Sequence, residues 1–441
     1  MCFHHFNKIY LLLFLLVGLV NQDLTAQQKD TLRVMTYNLL YYREVTTFCT
    51  SSNNATADKE AAMEKIIDET LPDILVVNEM GGSSSVNAFR LLQNALNKNG
   101  RTNYNLANST GIGGTNSQNI VNMLYFNTDK LVLESQTTIE KDLNNNTLVR
   151  LIDDYQLRYK DSNLAVHQDT IRLHVLAAHL KAGSSTSDEN ERAEATEAVM
   201  AQLDSINASG NYIFAGDLNL YSSTEPAYQD LLNYVDTSIR FYDPVGVAGS
   251  WHNDSRYASL HTQSTRTSGG CAAGGGMDDR FDFILTSDEI LNNTNRLNYL
   301  LNSYETFGQD GLRFNGSIIS PNNTAVDSAT AEALYDMSDH LPVLLEMEVD
   351  LPQTTTIPSF SLMDYYFENP TTGVFNLNLN QFNQPISKVE VFDISGRIVY
   401  EATVNAVNEI TINLSNSPNG PYFIRVISKS FQQKTKKLIK I

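Results

Sequence analysis

The stretch that most constrains this chain is residues 211–220, NYIFAGDLNL. Its short apolar run, 212–215, is of the kind that makes a buried strand. Gly216 permits a tight exit, and Asp217 and Asn219 follow at once. Residues two apart in an extended chain point to the same side, so a carboxylate and a carboxamide project together from the carboxyl end of a core strand. Asp217 can then orient or deprotonate an attacking water, or take part in metal binding. Asn219 can donate to a phosphate oxygen while staying neutral. The same residues also suit an ordinary Asp-Asn turn, so the rest of the chain has to decide.

At the amino end, Lys8 precedes an apolar run, 9–20, and small residues lead to Gln27. This pattern predicts a signal peptide, residues 1–26, cleaved after Ala26. The run falls short of the ~20 residues that span a bilayer, and no later stretch is apolar enough to do so. The expected product is exported and soluble, secreted or held at the cell surface. It carries no lipid anchor, because Cys2 does not sit at the cleavage point. Export leaves Cys49 and Cys271, both in polar loops. A disulfide between them would staple the two loops in an oxidising compartment, and two free thiols are the alternative.

Strands and helices interleave through the first 350 residues. Strands are predicted at 32–37, 73–77, 119–126, 131–133, 147–157, 171–178, 212–215 and 280–285, and again after Pro342. Helices are predicted at 58–70, 85–97 and 188–206. Such interleaving suits two sheets packed together with helices outside. Polar residues mark the ends of six of these strands: Asn38, Glu79, His179, Asp217 with Asn219, Asp282, and Asp339 with His340. Each has a plain explanation as a strand terminator or solvated loop residue. Together they offer carboxylates for a hard divalent cation, two imidazoles for proton transfer and carboxamides for phosphate. All-oxygen ligation favours Mg, Mn or Ca over Zn.

The segments TYNLL, NEM, HLKAG, GDLN, RFDFIL and SDHLPV, in this order, resemble the endonuclease/exonuclease/phosphatase superfamily, the fold of DNase I. The resemblance spans about 32–349 within a catalytic domain set at 30–350. It implies a four-layered α/β sandwich with two central mixed sheets and a site at the strand-end mouth. Carried over, Glu79 resembles the principal metal ligand, with Asn38 beside it and Asp339 helping to hold metal. His340 resembles the histidine that activates water, oriented by Asp282, for which Asp279 is a rival in DDRFDFIL. Asp217 and Asn219 resemble the pair that handles nucleophile and phosphate, and His179 the histidine near the scissile phosphate. Tyr125 is a weaker match to a tyrosine near the phosphate, and Arg266 is a candidate phosphate contact.

Of the 441 residues, 364–441 hold eight Lys/Arg and six Asp/Glu; the whole chain is −19, so 1–363 carry −21. That acidity argues against a tight, salt-sensitive embrace of nucleic acid, but not against a nuclease whose metal bridges carboxylate to phosphate. Residues 351–363 read as a Pro/Thr linker, and 364–441 as a small all-β sandwich domain. NPTTGVFNL, VFDISGRIVY, GPYFIRV and the Lys-rich end resemble the carboxy-terminal sorting domain of the type nine secretion system, which implies the outer-membrane secretion machinery as a partner. The expected activity is a secreted, metal-dependent phosphodiesterase, an endonuclease on extracellular DNA with RNA as a second candidate substrate, working as a monomer. The alternatives are a phosphoesterase of lipids or small phosphate esters, and a surface binding protein. The sequence displays no exposed apolar-aromatic hairpin suited to a membrane, and Phe214-Ala215 and Asp278-Asp279-Arg280 stand where phosphatase members carry other motifs.

Overall fold

The computed structural model describes residues 29–351, 365 and 367–441, apart from 83–85, 110–112, 116–117, 163, 168, 207–209, 383–384, 405–406 and 430–432. The expected signal peptide and nearly all of the expected linker lie outside the described residues. The chain divides into two compact units, Met1–Thr354 and Thr355–Ile441.

The first unit opens with β1 (Lys29–Tyr42), α1 (Thr56–Thr70) and β2 (Ile74–Gly81). Helix α2 (Val86–Leu91) runs into a π-helical turn, Leu92–Leu96, before β3 (Tyr104–Leu106) and β4 (Ile120–Asn127). Then come β5 (Leu131–Lys141), β6 (Thr147–Tyr159), the short α3 (Leu164–His167), β7 (Arg172–His179), α4 (Thr186–Ser205) and β8 (Tyr212–Asp217). Next are α5 (Pro226–Leu232), β9 (Phe241–Tyr242), β10 (Asp282–Ser287) and α6 (Asp288–Asn292). The unit closes with β11 (Leu297–Tyr299), β12 (Glu305–Thr306), α7 (Ser328–Met337) and β13 (Val343–Asp350).

One sheet runs β11-β13-β1-β2-β4-β3, with β12 beside β13, and the other runs β5-β6-β7-β8-β10-β9. Alternation along the strands makes both faces of each sheet apolar. Val34 and Ile74 of the first sheet share a core with Val175, Ile213 and Ile284 of the second. Met35 and Leu75, from the opposite face of the first sheet, pack on Met63 and Ile66 of α1 and Leu334 of α7. Leu176 and Phe214 of the second sheet pack on Val199 and Leu203 of α4 and Leu231 of α5. The result is a four-layered α/β sandwich of helix, sheet, sheet and helix. Burying each such side chain stabilises by about 1.5–3 kcal/mol.

The strand order delivers the polar ends to one edge. Two parallel pairs, β1 with β2 and β7 with β8, come from right-sized helical crossovers. Their carboxyl ends place Asn38 opposite Asn78 and His179 opposite Asp217. The antiparallel strands β10 and β13 start at the same edge, with Asp282 opposite Asp217 and Val343 opposite Thr36. Past Asn38 the first strand bulges through Leu40 and Tyr41, at φ 44° and 48°, so it runs longer than the predicted 32–37.

Asn78 ties the two sheets together at this edge. Its Oδ1 accepts from the backbone N–H of Asp217 at 3.0 Å, and its Nδ2 donates to Asn122 Oδ1 at 2.8 Å and to the Ala178 carbonyl at 3.1 Å. Gly216 is required here. A Cβ on it would stand 1.8 Å from the Ala178 carbonyl oxygen, and its φ is +142°.

The second unit is all-β. It comprises β14 (Val374–Asn378), β15 (Ile386–Asp393), β16 (Ile398–Thr403), β17 (Glu409–Asn413), β18 (Gly420–Ser428) and β19 (Gln433–Lys440). A four-stranded sheet, β16-β15-β18-β19, accompanies the pair β14-β17. Phe375, Leu377, Val389, Val391, Ile412, Ile424 and Leu438 fill the core between them. Among the described residues no helix is long and apolar enough to cross a membrane.

The Asn78 bridge is open to test. Asn78→Ala strips partners from the Asp217 N–H, Asn122 and the Ala178 carbonyl, each a buried polar group. Urea unfolding of the first unit within the mature chain should show a loss on the order of 3 kcal/mol. A loss below about 0.5 kcal/mol would contradict the bridge.

Candidate active site

Asp217 is the centre of the mouth. It is the last residue of β8 and only 2% exposed. Its Oδ2 accepts from Asn38 Nδ2 at 2.9 Å and lies 3.4 Å from His179 Nε2 and 3.8 Å from His340 Nε2. Its Oδ1 accepts from the backbone N–H of Asn219 at 3.1 Å. Asn219 takes φ 51°, which an Asn tolerates, and its side-chain Nδ2 donates to the Leu180 carbonyl at 3.2 Å. Burial, with the neighbouring Asp282 carboxylate, pushes the Asp217 carboxyl up to about 7, against the pull of His340.

His340 sits just before β13. Its Nδ1 lies 2.7 Å from Asp282 Oδ2, and the side-chain amide of Gln263 lies 2.7 Å from its Nε2. Burial alone would strip its proton; the carboxylates of Asp282, Asp217 and Asp339 outweigh that and hold the imidazole well above its ordinary range. His179 goes the other way. Burial, reinforced by Arg150 and His340, holds it well below its ordinary range, so it is neutral.

Within β2, Glu79 takes φ 57°, a left-handed conformation that costs a non-glycine residue of order 1 kcal/mol or more. Its Oε2 accepts from the Tyr41 N–H at 3.0 Å, and its Oε1 lies 3.8 Å from His179 Nε2. Burial and the nearby Asp339 carboxylate raise its pKa. Asp339 Oδ2 accepts from the Ala273 N–H at 2.7 Å, while its Oδ1 is buried without a hydrogen-bond partner, 4.0 Å from His340 Nε2. Two mutually repelling carboxylates, one with an orphaned buried oxygen, offer hard-oxygen donors that fit a divalent cation, while Asn38 beside them turns its amide N–H to Asp217 and its oxygen to the Leu40 N–H.

The structure thus brings Asn38, Glu79, His179, Asp217, Asn219, Asp282, Asp339 and His340 to one mouth. Asp279, the rival to Asp282, pairs instead with His252 at 2.6 Å. Tyr125 stands elsewhere. Residues alternate along β4, and Tyr125 falls on the face turned to the helices, where it is fully buried and its hydroxyl donates to the Ala88 carbonyl at 2.9 Å. Arg266 also turns aside: its guanidinium lies 4.3 Å over the Tyr335 ring and donates to the Tyr335 carbonyl. Cys49 and Cys271 form a disulfide.

Sequence reasoning missed Arg150. It sits in β6, donates to the Leu180 carbonyl and to Gln118 Oε1 at 3.4 Å, and acts electrostatically on Glu79, Asp217 and His179. Its Nε is buried without a hydrogen-bond partner. Ser338, read only as part of the SDH run, is a positioning group. Its Oγ donates to the Asn38 carbonyl at 2.7 Å and accepts from the His340 N–H at 3.1 Å.

Residues 366–441 match the model of the secretion system C-terminal sorting domain. No curated protein matches the chain. Among solved structures, the human Nocturnin catalytic domain with bound sulfate is similar at 15% identity, covering 73% of this chain and 96% of its own, with a TM-score of 0.46. Two endonuclease/exonuclease/phosphatase proteins are comparable. The one from Bacteroides vulgatus has 14% identity, 73% and 99% coverage and a TM-score of 0.45. That from Bacteroides thetaiotaomicron has 15%, 74% and 100%, and 0.42. At these values the likenesses are too loose to assign a substrate.

If the donor set holds a cation, Mg or Mn should stabilise the mature protein, by about 2.7 kcal/mol at a hundredfold excess over the dissociation constant. Thermal melts should show a rise of a few degrees that Glu79→Gln and Asp339→Asn each abolish. An equal rise in both variants would place the cation elsewhere.

Proposed function

We propose that the first unit is a divalent-metal-dependent phosphodiesterase of the endonuclease/exonuclease/phosphatase type. In this reading it is an endonuclease that hydrolyses extracellular DNA, and RNA as well, by in-line attack of water. The observation that carries the proposal is the meeting of Asp217, the Asp282–His340 pair and the Glu79–Asp339 pair in one buried mouth.

The residues divide the work by their protonation. Asp217, at about 7, can accept a proton from water at neutral pH. The Asn219 N–H fixes its carboxylate, and Asn38 fixes the oxygen that faces the histidines. His340, held charged by Asp282, can donate to a phosphoryl or leaving oxygen as negative charge develops there. In its neutral form the same imidazole, oriented by Asp282, can take the water-activating role that the resemblance implies. Neutral His179 can donate to a phosphoryl oxygen from the other side, and Arg150 supplies fixed positive charge. A bound cation (Mg or Mn, with Ca as a further candidate) held by Glu79 and Asp339, with Asn38 beside them, would supply Lewis-acid charge to a phosphoryl oxygen.

The carboxy-terminal match supports export across the outer membrane, with the secretion machinery as partner and the product at the cell surface or beyond. We read the working form as a monomer. The disulfide suits an oxidising compartment.

The test is plasmid nicking by the mature protein with Mg, Mn, Ca or EDTA. Nicking should need a divalent cation and should fall on the order of a thousandfold in Asp217→Ala and in His340→Ala. Intact plasmid and RNA beside hydrolysis of lipid or small phosphate esters would replace the nuclease reading. A pH profile adds a second check. Asp282→Asn removes the carboxylate that raises the His340 pKa, so the alkaline limb of activity should move to lower pH. An unmoved limb would remove His340 from the donor role.

A further inference from the structure

The buried face of α1 carries Ala62, Met63, Ile66 and Ile67, and with them Lys59, which is 1% exposed. A Met or Leu would fill that place without burying an ammonium, which is costly. Packing therefore does not account for the lysine. Its ammonium is spent on a backbone oxygen: Nζ donates to the Leu40 carbonyl at 3.0 Å. Burial pulls its pKa down to about 7, while the carboxylates of Asp339 and Glu79 pull the other way. Lys59 thus stands within electrostatic reach of both residues read above as cation ligands.

Leu40 belongs to the bulge that β1 makes past Asn38. Leu40 and Tyr41 take φ 44° and 48°, and two successive left-handed residues of this kind persist only where their surroundings over-determine them. Lys59 is one of the groups that do so, and Asn54 is another. Asn54 Nδ2 donates to the same Leu40 carbonyl at 3.0 Å and to the Tyr41 carbonyl at 3.2 Å.

With those carbonyls held, the N–H groups of the bulge serve the mouth. The Leu40 N–H donates to Asn38 Oδ1 at 2.9 Å, which leaves the Asn38 Nδ2 to Asp217. The Tyr41 N–H donates to Glu79 Oε2 at 3.0 Å. A chain of contacts therefore runs from the Lys59 ammonium, through one turn of backbone, to the Glu79 carboxylate.

Resting on the reading of Glu79 and Asp339 as cation ligands, we propose that Lys59 is a positioning residue of the metal site. With Asn54 it pins the β1 bulge, so that the Tyr41 N–H fixes the Glu79 carboxylate for the cation. Position and charge predict opposite signs. Loss of an ammonium that merely repels the cation would tighten binding. Loss of the pin frees the Glu79 carboxylate and weakens binding, and groups that orient a metal ligand in this way are worth about tenfold or more in affinity.

Mn binding to the mature protein, read from the free-Mn electron paramagnetic resonance signal, tests this. Glu79→Gln identifies the binding that belongs to the mouth. Lys59→Met, close to lysine in volume, should weaken that binding about tenfold while circular dichroism stays that of the wild type. Asn54→Ala, which acts on the same carbonyls from a partly exposed loop position, should weaken it in the same direction, and it decides alone if Lys59→Met does not fold. A lower melting temperature with unchanged Mn affinity would make Lys59 structural and overturn the proposal. Tighter Mn in Lys59→Met would make it a repelling charge and overturn the proposal as well. A wild type with no Mn binding that Glu79→Gln removes would overturn the metal reading beneath it.

Discussion

The buried contact of 2.7 Å between His340 and Asp282 is the interaction on which the mouth depends. Asp217, Asp282, Asp339 and Glu79 meet there with little solvent, and like charges so placed repel strongly. A charged imidazole anchored on one of them, and Arg150 near two others, make the cluster tolerable. The residual mismatch appears as the raised pKa values of Asp217 and Glu79 and as the orphaned oxygen of Asp339. Such a site is poised for a cation and for a substrate that brings its own charge. The same arrangement serves poorly as mere structure, because burying charge costs stability.

The fold exists to hold that cluster in register. Two parallel strand pairs end, and two antiparallel strands begin, on one edge of two sheets packed face to face. Asn78 bonds across the sheets at that edge, and Gly216 lets the chains approach closely enough for it to do so. Ser338 then links the turn before His340 back to Asn38. The site is therefore carried by strand ends and by backbone contacts, while the loops around it are left to choose the substrate.

Much of this was legible in the chain. Apolar runs that stop abruptly at Asn38, Glu79, His179 and Asp217 betray strand ends, and the order of their polar residues carries the family likeness. Tyr125 and Arg150 show where that legibility fails. Both faces of β4 are apolar because the sheet is covered on both sides, so alternation could not tell which face Tyr125 would take. Arg150 lies in TLVRLIDDYQL, a run that reads as an ordinary strand with mixed charges. Arg266 lies in a loop whose path is set by distant contacts with α7. The cysteine pair could be read as a candidate staple, but nothing local reveals that it clamps the loop after β1 to the segment that holds Asp339.

The central claim is that these carboxylates and histidines form one metal-charged phosphoester site. Anomalous diffraction from crystals of the mature protein soaked in Mn tests it most directly. The account expects a Mn peak at the mouth within ligand distance of Glu79 and Asp339. A mouth without Mn, in a protein that cleaves phosphodiesters undiminished in EDTA, would contradict it.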